Sequence, residues 1–386
     1  MRSGQIKKRI KVLQVIWALS YGGAERVVMD ISQALDREKF DVHICCTNGK
    51  GVFAESMEKQ GIPVHVLADA EWKPVYLSGL KLVRLLRKER PAVLHSHGSG
   101  PLFDASFARL FYRVPLYVHT FHYGNYPHCS RKTLMAERVA ARMPDQLVAV
   151  SNAQRSALVQ YLKIPPSKIR TIWNGVAKNP NIGNQELIEA KKRELGIEPG
   201  DLTLGTVAIF SEQKGLAYLM ESAARVMNIL PNARFILVGD GPLRPELEKK
   251  ARNIGLDSRV LFTGLRTDVQ ELLLAFDVFL MSSLWEGMAL TLLEAMAAGK
   301  PVVATDVGDN SRIIKHGITG YIVRPKDAAQ MADFIVRLGS DPKTLRKMGD
   351  EAWREYNNKF SRAKMAGEYG RLFEEGLPKE WMERRL

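Results

Sequence analysis

Short runs of β-branched and apolar residues alternate with amphipathic segments along the whole chain, and that alternation restricts the fold more than any other feature. In the first half the strand candidates are KVLQVI, FDVHICC, VHVL, AVLHSH, PLYVHT and QLVAV. Helical patterns such as Glu25–Leu35, Leu80–Lys88 and Lys132–Arg142 lie between them. The second half repeats the scheme with LTLGTVAIF, RFILVG, RVLFTG, VFLMSS and PVVAT, separated by Leu216–Leu230, Pro245–Ile254 and Leu290–Ala298. Strand followed by helix, many times over, predicts parallel sheets covered on both faces. The stretch Asn174–Asn184 is rich in Asn, Gly and Pro and has no apolar period, which marks a linker. The expectation is an α/β chain of two tandem, doubly wound, Rossmann-like domains facing across a cleft. They cover residues 1–176 and 177–360, and a charged helical segment, 361–386, packs back on the first.

Length and composition agree: 386 residues with 46% apolar and 25% charged suffice for two globular units. The run IKVLQVIWAL is interrupted by Lys11 and Gln14 and leads into glycines, so it reads as a first strand and not as a signal or a span. Three cysteines, Cys45, Cys46 and Cys129, two of them adjacent, suit a reducing compartment, and a cytoplasmic location is expected. The net charge of +14 is unevenly spread. Residues 1–175 hold 26 Lys+Arg against 13 Asp+Glu, and residues 176–386 hold 30 against 29. The first half therefore faces something anionic: a phospholipid surface, a lipid pyrophosphate or nucleic acid. Nucleic acid is the weakest of these, because no recognised module or interleaved aromatics accompany the cations.

The densest chemistry lies in Ser282–Gly308, SSLWEGMALTLLEAMAAGKPVVATDVG, read as strand end, loop, helix, glycine stop and strand. Glu286 lies at the approach to the helix and Glu294 a little over two turns on. Unpaired early amides with the helix dipole behind them make a seat for a diphosphate. Flanking carboxylates accept hydrogen bonds from sugar and ribose hydroxyls.

This stretch resembles the retaining family 4 glycosyltransferases of GT-B fold, whose signature is a glutamate, seven residues, a second glutamate and A-M-A-x-G-x-P-V-V-A. Here Glu286, GMALTLL, Glu294 and AMAAGKPVVA match it over about twenty residues. The resemblance implies that Glu286 holds donor-sugar hydroxyls, that Glu294 holds the ribose, and that the Gly287, Met288, Ala289 and Leu290 backbone meets sugar and phosphate. Weaker marks follow in the family's order. Gly22 and Gly23 open a helix after the first strand, like the loop that lies against the diphosphate. His119, read as the end of PLYVHT, matches a histidine facing the reacting centre. Lys214 matches a phosphate-binding lysine. LVGDGP with Gly239, and FTGLR with Leu265 and Arg266, match loops around the nucleotide.

One departure stands out. The family's arginine five or six residues before the lysine is replaced by Ile209 or Ala208, so either another cation such as Arg266 takes the role, or donor binding is weaker, or the protein is a catalytically weak relative.

The function implied is retaining transfer of a sugar from a nucleotide-diphosphate sugar, a UDP-sugar first among candidates, to a hydroxyl acceptor in polysaccharide, lipopolysaccharide or glycolipid assembly. His119, Lys214 and Glu286 would be the catalytic set. No cofactor and no metal are expected: there is no Asp-x-Asp pair, and His95, His97, His119 and His122 lack carboxylate or cysteine ligands at zinc-like spacing. An anionic membrane surface is the expected partner, reached through Leu80–Arg90, with Leu82, Leu85 and Leu86 on one face and Lys81, Arg84 and Lys88 on another. The alternatives are a nucleotide-sugar epimerase or hydrolase on the same fold, and a non-catalytic binding subunit.

Overall fold

The computed structural model describes residues 9–68, 75–122, 126, 129–256 and 258–383. The chain forms two compact units, 1–175 with 362–386, and 176–361.

In the first unit, strands and helices alternate as β1 (Ile10–Ile16), α1 (Gly23–Ala34), β2 (Phe40–Cys46), α2 (Ala54–Lys59), β3 (Val64–Val66), α3 (Val75–Glu89), β4 (Val93–His97), α4 (Ser99–Phe111), β5 (Leu116–Phe121), α5 (Arg131–Ala140), β6 (Gln146–Ala149), α6 (Asn152–Ala157) and β7 (Ile169–Thr171). All neighbouring strands are parallel, in the order β3-β2-β1-β4-β5-β6-β7. Parallel strands buried on both faces read as unbroken apolar runs, and β1 and β4 are buried almost throughout. One face is filled by Leu82, Val83 and Leu86 of α3 with Ala105 and Ala108 of α4, packed on Leu13, Val15 and Leu94. The other carries Val28 and Met29 of α1 against Ile16 and Ile44.

The second unit runs α7 (Gln185–Glu194), β8 (Leu202–Val207), α8 (Leu216–Met227), β9 (Ala233–Val238), α9 (Arg244–Asn253), β10 (Val260–Gly264), α10 (Val269–Ala275), β11 (Val278–Met281), α11 (Leu290–Ala297), β12 (Val302–Thr305), α12 (Asn310–Ile313), β13 (Gly320–Val323), α13 (Ala328–Gly339) and α14 (Pro342–Lys359). Its sheet is ordered β10-β9-β8-β11-β12-β13. Helix starts follow local chemistry: the Asp327 side chain accepts from Gln330 N at α13, and Asp341 accepts from Lys343 N and Thr344 N ahead of Pro342 at α14. The chain enters at Val176 and leaves at Ser361, and these two residues form a bridge. The Tyr356 hydroxyl also donates to Val176 O at 3.1 Å. The Asn-rich stretch is thus anchored, with Asn179 Nδ2 donating to Gln270 O at 2.7 Å.

Helices α15 (Arg362–Gly376) and α16 (Lys379–Glu383) rejoin the first unit. Tyr369 of α15 is buried, its hydroxyl 3.1 Å from Thr120 Oγ1, and Arg362 donates to Asp30 and Gln33 of α1.

Each sheet reverses its strand order once, between β1 and β4 and between β8 and β11. Ligands of open α/β sheets bind outside the carboxyl ends of strands at such a reversal. In the second unit the loops leaving β8 and β11 carry Lys214 and Glu286.

Candidate active site

The loop after β8 turns sharply at Lys214-Gly215. Gly215 has φ +58°, and a Cβ there would lie 2.2 Å from Ser282 O, so only glycine lets this loop close on the end of β11. Ser282 Oγ donates to Lys214 O at 2.8 Å, and Leu284 N donates to Gln213 O at 2.7 Å. These bonds tie the two loops together and set the Lys214 ammonium 2.6 Å from Glu286 Oε1. Ser283 Oγ donates to the same oxygen at 2.7 Å, while Gln213 Nε2 reaches Trp285 O at 3.0 Å and Glu286 Oε2 at 3.4 Å. The Glu286 side chain is 7% exposed and that of Lys214 22%. A carboxylate and an ammonium locked in one network present acceptor and donor side by side, which suits a ligand carrying both hydroxyls and phosphate.

A small open cleft lies beside this pair, bounded by Thr206, Ala208, Lys214, Ser282, Ser283 and Thr291. Helix α11 begins at Leu290, and its N-cap, Ala289, offers no side-chain cap. Glu294 lies on its second turn. Gly287 belongs to the loop between Glu286 and this helix, with buried Met288 and Ala289 following. Gly239 closes the cleft's neighbouring loop: its φ is +128°, and a Cβ would meet Ala208 O at 1.9 Å. Leu265, 74% exposed, follows β10.

Three sequence expectations need correction. Strand β5 runs through Phe121, because Phe121 is itself buried against the core built around Tyr126 and Leu147. His119 is therefore an interior strand residue, fully buried, with Nδ1 2.8 Å from Ser96 Oγ. Burial pushes its pKa down to about 3. The histidine leaving the strand is His122, whose Nε2 lies 3.0 Å from His97 Nδ1, with His97 Nε2 in turn 2.6 Å from Gln14 Oε1.

Arg266 has other partners than a vacant phosphate seat. It donates to Asp268 Oδ1 at 2.7 Å and Oδ2 at 2.6 Å and to Glu194 at 2.5 Å, in a cluster with Lys191. At the departure itself, Ile209 is 60% exposed and Ala208 lines the cleft.

The third correction concerns α3. Leu82 and Leu86 are buried in the sheet core and Lys81 donates to Leu67 O at 2.6 Å, so its cationic face is reduced to Arg84, Arg87 and Lys88.

In the first unit, Gly22 precedes α1 in extended conformation, and the Glu25 carboxylate folds back over it. Gln213 and Ser283, which fix Glu286, escaped the sequence reading. Ser283 lies three residues before Glu286 and was accessible as a local partner, whereas Gln213 is visible only once β8 and β11 are neighbours.

Residues 21–179 match the model of the Glycosyltransferase Family 4, and residues 201–341 that of the Glycosyl transferases group 1. The chain is 28% identical over 380 residues to UDP-Gal:alpha-D-GlcNAc-diphosphoundecaprenol alpha-1,3-galactosyltransferase of Escherichia coli, covering 94% of this chain and 95% of the other. It is 30% identical to N-acetyl-alpha-D-glucosaminyl L-malate synthase of Bacillus anthracis over 61% of each chain. Among solved structures, Anabaena Alr3699/HepE in complex with UDP and glucose superposes with a TM-score of 0.85 at 23% identity, covering 95% of this chain and all of that one. That likeness is one of fold, two parallel-sheet domains of the GT-B type.

Proposed function

This chain belongs to the family 4 glycosyltransferases, and we propose that it moves a sugar, with retention at the anomeric carbon, from a UDP-sugar to a hydroxyl of a lipid-linked diphosphate acceptor in glycan assembly. The observation that carries this reading is the Lys214–Glu286–Ser283 network at the approach to α11. Breaking the anomeric C–O bond leaves positive charge on the sugar and negative charge on the departing diphosphate. Fixed donors aimed at the diphosphate lower that barrier most. Lys214 and the first amides of α11 supply them without a metal, Glu286 accepts from sugar hydroxyls, and Glu294 accepts from the ribose. Front-face attack, the leaving oxygen taking the acceptor's proton, is the step that accounts for retention in this reading. The Escherichia coli relative, named for a UDP-galactose donor and a diphosphoundecaprenol acceptor, supports this choice of donor and acceptor class. Anabaena HepE, solved with UDP and glucose, supports the donor nucleotide alone.

The acceptor class also calls for a lipid surface. Residues 75–142 contain eleven Lys and Arg and three acids. Glu89 is bonded to Lys11, and Asp104 and Glu137 are buried. On α5, Arg131, Met135 and Val139 form one exposed stripe, with Met135 54% and Val139 61% exposed, and exposed Arg142 follows in the turn after the helix. Leu110 and Phe111, at the end of α4, are 68% and 53% exposed. Just beyond this stretch, exposed Asp145 is paired with Arg109 at 2.9 Å, so the remaining cations, set among apolar side chains, are the ones that fit an anionic bilayer. Each cation contributes about 1 kcal/mol near its surface. Among the described residues no helix is long and apolar enough to cross a membrane, so attachment would be peripheral.

The test is product analysis with a panel of UDP-sugars, a diphosphoprenyl-sugar acceptor and excess chelator. Transfer with retained configuration is expected. Glu286→Ala should lower turnover and Glu294→Ala should weaken UDP binding, each by about 1–3 kcal/mol. Sugar released only to water, an epimerised nucleotide sugar, or activity that requires an added divalent ion would overturn the reading.

A further inference from the structure

His43, His65 and Glu89 come from three elements, β2, β3 and the last residue of α3, and their ligand atoms lie within 4.8 Å of one another. The register brings them together. Cys45 pairs with His65, so His43, two residues earlier, shares the same sheet face. His43 Nδ1 is 3.1 Å from His65 Nε2 and 3.8 Å from Glu89 Oε2, and the two rings stack at 11°. Two ligands of one tetrahedral zinc, each about 2.0–2.1 Å from the metal, are roughly 3.3 Å apart. The cluster already has that scale.

Three features prepare these side chains for a cation. Asp41 Oδ2 lies 3.4 Å from His43 Nε2, an acceptor that favours the proton on that nitrogen and so leaves the Nδ1 lone pair for the other two groups. Burial keeps both imidazoles below the usual histidine pKa, so they are neutral ligands at pH 7. Glu89 is held below the usual carboxylate range by Lys11 and is ionised. That lysine is the resident competitor, with Nζ 2.9 Å from Glu89 Oε2 and 3.9 Å from Asp41.

We propose that His43, His65 and Glu89 form a site for a divalent cation of the zinc class, which displaces the Lys11 ammonium and clamps edge strand β3 and the end of α3 to β2. None of these residues has a part in donor binding, so the site is structural and its loading is independent of sugar transfer. A chain with an ammonium at the same oxygen gives up affinity, and occupancy then follows metal supply.

The full-length chain is first stripped with chelator, then titrated with zinc alone and separately with cobalt(II). One equivalent should bind saturably, with the visible absorption of tetrahedral cobalt and a rise in the thermal midpoint that chelator reverses. His65→Gln and Glu89→Gln should each weaken binding tenfold or more and abolish the thermal rise, while circular dichroism of the metal-free variants reports that they fold. Lys11→Met should tighten binding several-fold, because it removes the competing charge. Absence of saturable binding, binding unchanged in both Gln variants, or weaker binding in Lys11→Met would each overturn the site.

Discussion

Replacing Ile209 by arginine should tighten the binding of UDP about fivefold. Position 209 lies in the loop leaving β8, five residues before Lys214, and its side chain is 60% exposed, so the change removes little core packing. The neighbouring guanidiniums are already committed. Arg266 holds Asp268 and Glu194, and Arg244 holds Asp240 at 2.9 Å and Glu248 at 2.8 Å. Under the proposed function, Lys214, bound to Glu286, is left as the phosphate cation of this loop. A hydrogen bond to a charged group contributes roughly 1.5–3 kcal/mol. Exposure and the entropy of ordering a long side chain bring that to about 1 kcal/mol here, and 1.4 kcal/mol is a factor of about ten. Calorimetric titration with UDP and with uridine separates the causes: the gain should appear with UDP alone and shrink as salt is raised. UDP affinity that is unchanged or lower would refute the vacancy. A loss of tenfold or more in Arg266→Ala of the parent chain would show that Arg266 leaves its acids to take the missing arginine's place.

Two further outcomes follow from the first unit. His119 has a folded pKa of about 3 against about 6.5 when unfolded, so the unfolded chain takes up its proton first as pH falls. Stability is whole above pH 6.5 and declines below it, by about 2 kcal/mol at pH 5 from this residue alone. Denaturant unfolding at pH 7 and pH 5 should show a shallower loss in His119→Gln than in the parent, and parallel losses would count against it. On α5, the double change Met135→Glu with Val139→Glu places carboxylates inside a cationic stripe. Co-sedimentation with anionic vesicles should fall at least tenfold while activity on a short water-soluble acceptor persists, and undiminished sedimentation would remove this face from the membrane.

How much of this was legible beforehand depends on the range of the interaction that decides each feature. The strand-helix alternation is local and survives as two parallel sheets, because strands buried on both faces must be apolar along their whole length: FDVHICC is β2, residue for residue. The placement of Glu286 before α11 and of Glu294 on it is legible for the same reason, since one loop and the helix that follows hold both. The end of β5 is not, because it is set by what Phe121 packs against, and a strand that runs one residue past PLYVHT makes His119 an interior group. The split of α3 into buried leucines and one tethered lysine needs the Leu67 carbonyl, which no helical period announces. Arg266 makes the point most sharply. As a residue type in a nucleotide-site loop it is a fair substitute for a missing arginine. Its charge, however, is settled by Glu194 on α7, 72 residues away in sequence. A cation's availability is a property of its neighbours, and so the consequence of isoleucine at 209 becomes a question with a definite answer only once the packing of α7 against α10 is known.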